Sequence, residues 1–366
     1  MTENEITAKS EKSVTTESHG KRWFCVSFST DGKMLTLEAD SPTGFIDNLN
    51  SASITWLDYA TQEVFEPEAI EAAKQVGFTE AFLTPFMAQK RLGYQDWDTE
   101  LGLKFPSIQV KLGEVESYPL VFLVKKNYIL TLHPRSLDRR FTLLRRYAET
   151  ILKKIPPAMI TEDKITTLLV RIIEYNNERN FDHLRRIDER GDQLNQNMSD
   201  PKIPREKLGP QIYQMKHSLI SYLNALWDTL SVIHTLQNGD AELITNDEIL
   251  LKKLSLAADN VTRQIDLAEH MSDVLASGLE VMQTIYNNQL QSLNNRLALL
   301  MTYLTIIGTA VLVPNTLATI LGNSGFNMTS DDLWWYLTII VGSTVVATAL
   351  VYYWVKKLGW IPNKID

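Results

Sequence analysis

The sequence predicts an α/β domain of the α/β/α type with a central sheet, followed by long helices and two C-terminal transmembrane helices. Three observations predict this fold class. Short strand-like runs separated by turn residues fill residues 22–135, helical patterns follow as far as residue 321, and two long uncharged apolar runs lie towards the C-terminus. The chain of 366 residues is long enough for a sizeable core in addition to the two apolar helices.

The composition restricts the compartment and the kinds of partner. Residues 1–21 are polar and rich in Thr, Ser, Glu and Lys, which predicts a disordered tail and not a cleaved signal. The net charge of -8 argues against nucleic-acid binding through a basic surface. The single cysteine, Cys25, excludes an internal disulfide and fits a reducing compartment.

Residues 22–135 carry the strand signals of a mixed α/β domain. WFCVSFS and KMLTLEA flank a turn at Asp31 and Gly32, which is typical of a hairpin. Further strands are predicted for SITWLDY, SIQVKLGEV, YPLVFLVK and NYILTLH. Helices are expected at about 67–76 and 79–92, between SITWLDY and SIQVKLGEV.

A cytoplasmic arm made of helices is predicted for residues 136–246. We expect helices at 136–154, 161–198 and 211–237, with a proline-rich turn at 201–210. The high charge of 161–198 indicates that this arm is a solvent-exposed hairpin.

A single long helix is predicted for residues 247–321, because no proline occurs before Pro314. At 1.5 Å per residue this helix is about 110 Å long, far more than the thickness of a bilayer. We therefore expect it to begin deep in the cytoplasm and to couple the soluble part of the chain mechanically to the first membrane span.

Two uncharged runs, 297–321 and 333–355, are each long enough for a hydrocarbon core that takes about 20 helical residues to cross. The loop between them, 322–332, has no Lys or Arg, whereas Lys residues follow the second run in the tail 356–366. Because positive residues stay inside, both termini are expected in the cytoplasm and the loop outside. The chain is thus predicted to be a multi-pass protein of an inner or plasma membrane, with the lipid bilayer as a partner.

A polar stripe follows the first span and continues below it. Its members are spaced alternately by three and four residues, which places them on one seam of a supercoiled helix. They are Asn288, Gln291, Asn295, Ala298, Thr302, Thr305, Thr309, Leu312, Thr316 and Thr319, and the stripe ends at Asn323. One interpretation is that the threonines bond back to their own helix and help dry helices to pack. The length of the stripe favours the other, in which several copies surround a water-filled axis.

The first span and the loop after it resemble the CorA family of divalent-cation channels. LTIIGT at 304–309 and Pro314 followed by Thr316 are close to the pattern of that family. Gly325-Phe326-Asn327 stands where the family has its Gly-Met-Asn signature. ITWLDY and NYILTLHP are weaker points of similarity, in the soluble part.

The resemblance implies a homopentamer that takes up Mg2+ passively, with the first span lining the pore and a cytoplasmic funnel gating it. It implies that Asn327 contacts the hydrated ion at the outer mouth and that Gly325 forms the tight turn before it. Thr316, Leu304 and Val313 are then pore-lining, and an apolar ring such as Leu304 gates by dewetting. Neutral acceptors suit Mg2+, which loses its water reluctantly.

Departures from the family pattern leave alternatives open. Phe326 replaces the signature Met, as variants do in the ZntB branch, so a transporter of Zn2+ or another transition metal is the nearest alternative. With Phe326 and Val313 sealing the mouth, the chain is instead a membrane scaffold that conducts nothing. Asn323 lies on the polar stripe and competes with Asn327 for the mouth position.

Acidic residues outside the spans supply three further candidates. The resemblance places Asp259 on the long helix as a ligand of a regulatory cation, against the simpler interpretation of a solvated surface acid. Asp331 and Asp332 either concentrate cations at the outer mouth or cap the second span. No nucleotide-binding loop and no H-E-x-x-H motif occur, so no enzyme activity and no resident cofactor are predicted, and the only metal is the Mg2+ or Zn2+ that is transported and sensed.

Overall fold

A computed structural model gives the structure of the protein for residues 22–49, 51–89, 93–111, 114–200, 203–238, 241–322 and 332–357. These residues form two compact units, which divide between Gly278 and Leu279. The predicted tail at 1–21 lies outside the described residues.

The first unit contains a seven-stranded mixed sheet. Its strands are β1 (Trp23–Ser29), β2 (Met34–Ala39), β3 (Ala52–Thr61), β4 (Tyr94–Trp97), β5 (Glu100–Lys111), β6 (Glu114–Lys125) and β7 (Tyr128–Pro134). The order across the sheet is β2-β1-β3-β7-β6-β5-β4. β3 and β7 are parallel and the other neighbours are antiparallel.

Nine α-helices are described in the chain. They are α1 (Ile46–Leu49), α2 (Pro67–Gln75), α3 (Glu80–Ala88), α4 (Asp138–Lys153), α5 (Thr161–Glu178), α6 (Asn180–Ser199), α7 (Arg205–Gln237), α8 (Glu248–Leu321) and α9 (Leu333–Lys357). Two short 3-10 helices, at Pro42–Gly44 and Arg135–Leu137, join neighbouring elements.

Helices cover both faces of the sheet, because alternate strand residues point to opposite sides. Trp23 and Cys25 of β1 join a core cluster with α2 and α3 on one face. Phe24 and Trp56, whose ring centroids are 5.7 Å apart, lie on the other face, which α4 and α5 cover. The three layers and the long helices after them confirm the predicted fold class.

One predicted strand is wrong. SIQVKLGEV was expected to be continuous, but β5 ends at Lys111, β6 begins at Glu114, and these two residues pair across a hairpin. β4 was not predicted, because YQDW is only four residues long and has no clear alternation.

The helical arm also differs from its prediction in three ways. The helix expected over 161–198 is divided at Arg179, which lies between α5 and α6. α7 begins at Arg205 and contains Pro210, so the turn predicted at 201–210 is shorter than expected. α7 packs against β5 and β6, and its Leu226 is fully buried. The arm is therefore part of the domain and not a solvent-exposed hairpin.

Candidate functional site

The described part of the second unit contains α8 from Leu279 onwards and α9, and both have little buried surface. Ile306 and Val355 are the only buried residues after Gly278 in the part of the chain that the structure describes. Large apolar side chains are exposed on both helices, with Leu304 at 69% and Trp334 at 80%. Water does not favour such surfaces, and both α8 and α9 are long and apolar enough to cross a membrane. Lipid or further copies of the chain are the environments that suit them.

The threonines of the polar stripe share one geometry on α8. Each hydroxyl donates to the carbonyl oxygen four residues earlier, and the Oγ1-to-oxygen distances are 2.8 or 2.9 Å. They are Thr302, Thr305, Thr309, Thr316 and Thr319. Because a hydroxyl has one hydrogen, each oxygen keeps only acceptor capacity for an outside partner. Such a stripe suits the water shell of a cation, although the same bonds also satisfy the threonines in a dry bundle.

The remaining predicted pore positions fall on the same helix. Asn288, Asn295 and Leu312 are exposed on α8, and their spacing from the threonines places them on one face. The structure thus brings the stripe together as far as Thr319. Its continuation into the loop, where four candidates were predicted, lies outside the described residues. These four are Asn323, Gly325, Asn327 and Asp331.

Leu304 and Val313 do not share a face of α8. They are nine residues apart in an unbroken helix, which is about two and a half turns. A straight helix therefore turns at most one of them to a central axis. Val313 lies four residues after Thr309 and three before Thr316, the spacings that place residues on neighbouring parts of one helix face. Leu304 has no stripe residue at either spacing, so Val313 lies nearer to the polar stripe.

Two of the predicted acids, Asp259 and Asp332, lie within the described residues. Asp332 directly precedes α9, and Asp259 is an exposed residue of α8. Within the described ranges, no group of three or more His, Cys, Asp or Glu side chains could hold a metal ion. A cation held at Asp259 by three such side chains would thus need some of them from beyond these ranges or from another copy.

The sequence analysis did not predict a buried polar cluster that lies between the sheet and α4. Asp58 of β3 accepts hydrogen bonds from Thr131 of β7 and from Arg145 of α4, and His133 Nε2 lies 3.3 Å from its Oδ2. Burial raises the pKa of the Asp58 carboxyl, but Arg145 and His133 outweigh this and hold the pKa well below its usual range. The only signal in the sequence is one acid inside the apolar run ITWLDY.

The sequence match decides the family. A family model described as "CorA-like Mg2+ transporter protein" matches residues 51–357. The chain belongs to the CorA-like Mg2+ transporter family. It therefore has the fold of a divalent-cation transporter, and CorA proteins are membrane proteins. No curated protein sequence matches the chain significantly.

Solved structures agree with the CorA-like fold. The complete CorA magnesium transporter from Methanocaldococcus jannaschii is 16% identical, with a TM-score of 0.63, over 93% of this chain and 99% of that one. The full-length CmaX protein is 14% identical, with a TM-score of 0.59, over 93% and 100%. The cytoplasmic domain of ZntB from Vibrio parahaemolyticus is 16% identical, with a TM-score of 0.53, over 73% and 99%. At these identities the likeness shows the fold.

Proposed function

We propose that the protein is a passive channel for Mg2+ in a cell membrane, formed by a homopentamer with α8 lining the pore. The observation that supports this most directly is the stripe of threonine oxygens on α8, a helix otherwise apolar over residues 297–321. Packing alone does not require acceptors at so many successive seam positions.

Neutral acceptors fit the chemistry of the ion. Mg2+ gives up its water reluctantly, so a pore that receives hydrogen bonds from the water shell avoids the cost of dehydration. An inside-negative potential drives uptake of a cation through a passive channel. Moving one charge through 100 mV contributes about 2.3 kcal/mol, so a divalent ion gains about 4.6 kcal/mol.

The remaining candidates take roles along this path. Asn327 or Asn323 forms the outer mouth, and Asp331 and Asp332 attract cations towards it. Asp259 binds a regulatory cation between copies of the chain. Because α8 is one continuous helix from Glu248 to Leu321, loss of that cation changes the tilt of its pore-lining part.

Transport of Zn2+ is the second candidate function. The likeness to the ZntB cytoplasmic domain and Phe326 at the signature Met position favour it. Neither uncharged run contains Asp, Glu, Lys, Arg or His, so any proton coupling would have to involve residues outside the two spans.

Flux into proteoliposomes tests the proposal. The full chain is reconstituted, an inside-negative potassium diffusion potential is applied, and uptake of Mg2+, Zn2+, Co2+ and Ni2+ is followed with internal indicators. We expect potential-driven Mg2+ uptake. A Zn2+ preference with movement of protons would support the second candidate, and the absence of all flux would identify a non-conducting scaffold.

Two variants test the mouth. Asn327→Ala and Asn323→Ala are compared, and we expect one of them to lower Mg2+ flux while the other has little effect. If neither changes flux, the mouth assignment is wrong even where the channel itself conducts.

A further inference from the structure

The helical run 161–199 is interrupted at Arg179 without a local cause. α5 ends at Glu178 and α6 begins at Asn180, yet residues 161–190 contain neither Pro nor Gly. Without these residues, a helix is interrupted mainly at a π-bulge or where a side chain or water inserts into its ladder of hydrogen bonds. We therefore looked for side chains that other elements bring to residues 176–180, here named the α5–α6 joint.

Two buried side chains insert into the ladder at the α5–α6 joint. Arg140 of α4 donates from Nη2 to the backbone oxygen of Asn176 over 2.8 Å. Gln264 of α8 donates from Nε2 to the backbone oxygen of Asn177 over 3.4 Å. In an uninterrupted helix, each of these oxygens accepts from the N–H group four residues later. Arg140 and Gln264 thus occupy the acceptors that would join α5 to α6.

Gln264 contacts both sides of the α5–α6 joint. Besides its bond to Asn177 at the end of α5, its Oε1 accepts from Nδ2 of Asn180, the first residue of α6, over 3.2 Å. All three side chains are buried, with Gln264 1% exposed. Asn180 is also held from α7, because the Tyr222 hydroxyl donates to its backbone oxygen over 2.9 Å. A single side chain of α8 therefore bridges the interruption.

The two inserted side chains differ in how firmly they are held. Arg140 also donates from Nη1 to Ser107 Oγ over 2.7 Å and to the backbone oxygen of Ile108 over 3.3 Å, so β5 fixes it to the sheet. The two bonds of Gln264 are 3.2 and 3.4 Å long, at the upper limit for an N–H···O bond. Movement of α8 away from the α5–α6 joint by about 1.5 Å, the rise of one residue, breaks both. Gln264 is therefore the side chain that leaves first.

We propose that the α5–α6 joint is a conformational device in which Gln264 of α8 keeps the helix interrupted. When α8 moves and withdraws Gln264, the N–H of Phe181 donates to the backbone oxygen of Asn177, because this gives a better helical bond than the N–H of Arg179, only two residues away. α5 and α6 then form one helix. Since such coupling is reciprocal, a change that joins α5 to α6 also releases α8. The device does not depend on the proposed ion conduction.

Hydrogen–deuterium exchange of the full chain in detergent, resolved to single residues, tests the device. Gln264→Leu copies the withdrawal of the side chain at similar volume. We expect exchange at the N–H groups of Asn180 and Phe181 to slow by about tenfold, because each gains a backbone acceptor. Gln283→Leu is the matched control, since Gln283 is an exposed residue of the same helix. Faster exchange at these two groups would show that Gln264 only stabilises the fold, and unchanged exchange would show that it does not hold the joint. Either result overturns the proposal.

Asn180→Ala tests the coupling from the other side and decides alone if Gln264→Leu does not fold. It removes only the bond between α6 and Gln264, and alanine favours a helix, so thermal unfolding should show a folded protein. We expect exchange at Phe181 to slow by at least about threefold. Because α8 is released, exchange in residues 261–268 should become faster. If Phe181 does not slow, or if residues 261–268 exchange as in the wild type, α8 is not coupled to the joint and the proposal fails.

Discussion

Arg145 of α4 donates from Nε to Oδ2 of Asp58 on β3 over 2.6 Å, in a place where Asp58 is fully buried. The ion pair fastens α4 to the face of the sheet opposite α2 and α3. Two further groups, Thr131 and His133 of β7, contact the same carboxylate. This cluster therefore joins three elements of the first unit through one charge.

Arg145→Met should destabilise the first unit by about 3–5 kcal/mol, because it leaves the Asp58 carboxylate buried without its cation. Denaturant unfolding of the full chain in detergent measures the loss. Arg185→Met is the matched control, since Arg185 forms an exposed pair with Glu189 over 3.3 Å, and exposed pairs contribute about 0.2–1 kcal/mol. Equal losses in the two variants would show that the buried pair has no special role.

The same carboxylate should make stability depend on acid. The pKa of Asp58 is lower in the folded chain than in the unfolded chain, so its contribution is fully present above the unfolded pKa of about 3.9. That contribution is lost progressively as pH falls below this value towards the folded pKa. Comparing the free energy of unfolding at pH 7 and pH 3.5, we expect a larger fall for the wild type than for Asp58→Asn. The same fall in both proteins would assign the acid sensitivity to other groups.

Patterns with local causes were predictable from the sequence. The β1–β2 hairpin follows from strand-like runs around a turn in which Gly32 adopts a φ of 78°. α8 and α9 follow from long runs without charge or helix-breaking residues. The predictions that were wrong concern helix boundaries that depend on contacts with other parts of the fold. Arg179 carries no local stop signal between α5 and α6. Pro210 lies in the second turn of α7, where a proline leaves one backbone carbonyl without its helical donor and normally ends a helix.

The candidate site was predictable only as a pattern along one helix. Spacing by three and four placed the threonines together, because periodicity alone determines which residues share a face. The same rule applied to Leu304 and Val313, which came from the resemblance, places them on opposite faces, because nine residues are about two and a half turns. Arg145 could not be found at all, because its importance depends on burial and on residues far away in the sequence.

Thr316→Val should lower Mg2+ flux by about tenfold, because it replaces an acceptor oxygen of the stripe by a methyl group of similar size and so removes roughly one hydrogen bond. Flux into proteoliposomes is the measurement. Thr338→Val on α9 is the matched control, since Thr338 makes the same back-bond, to Trp334 O over 2.7 Å, and is also exposed. If both variants conduct alike, the threonines serve helix packing and not conduction.

Leu304→Cys and Val313→Cys distinguish the two apolar positions that one straight helix cannot both turn to a pore. The native Cys25 should not react with a thiol reagent, because it is 1% exposed and burial raises the pKa of its thiol to about 12. A cationic methanethiosulfonate added outside should block flux through Val313→Cys, the position nearer the stripe, and leave Leu304→Cys unaffected. Protection of both would show that neither lines the path. Block of both would require α8 to bend at Pro314, where the missing N–H leaves the carbonyl of Ala310 without its helical donor.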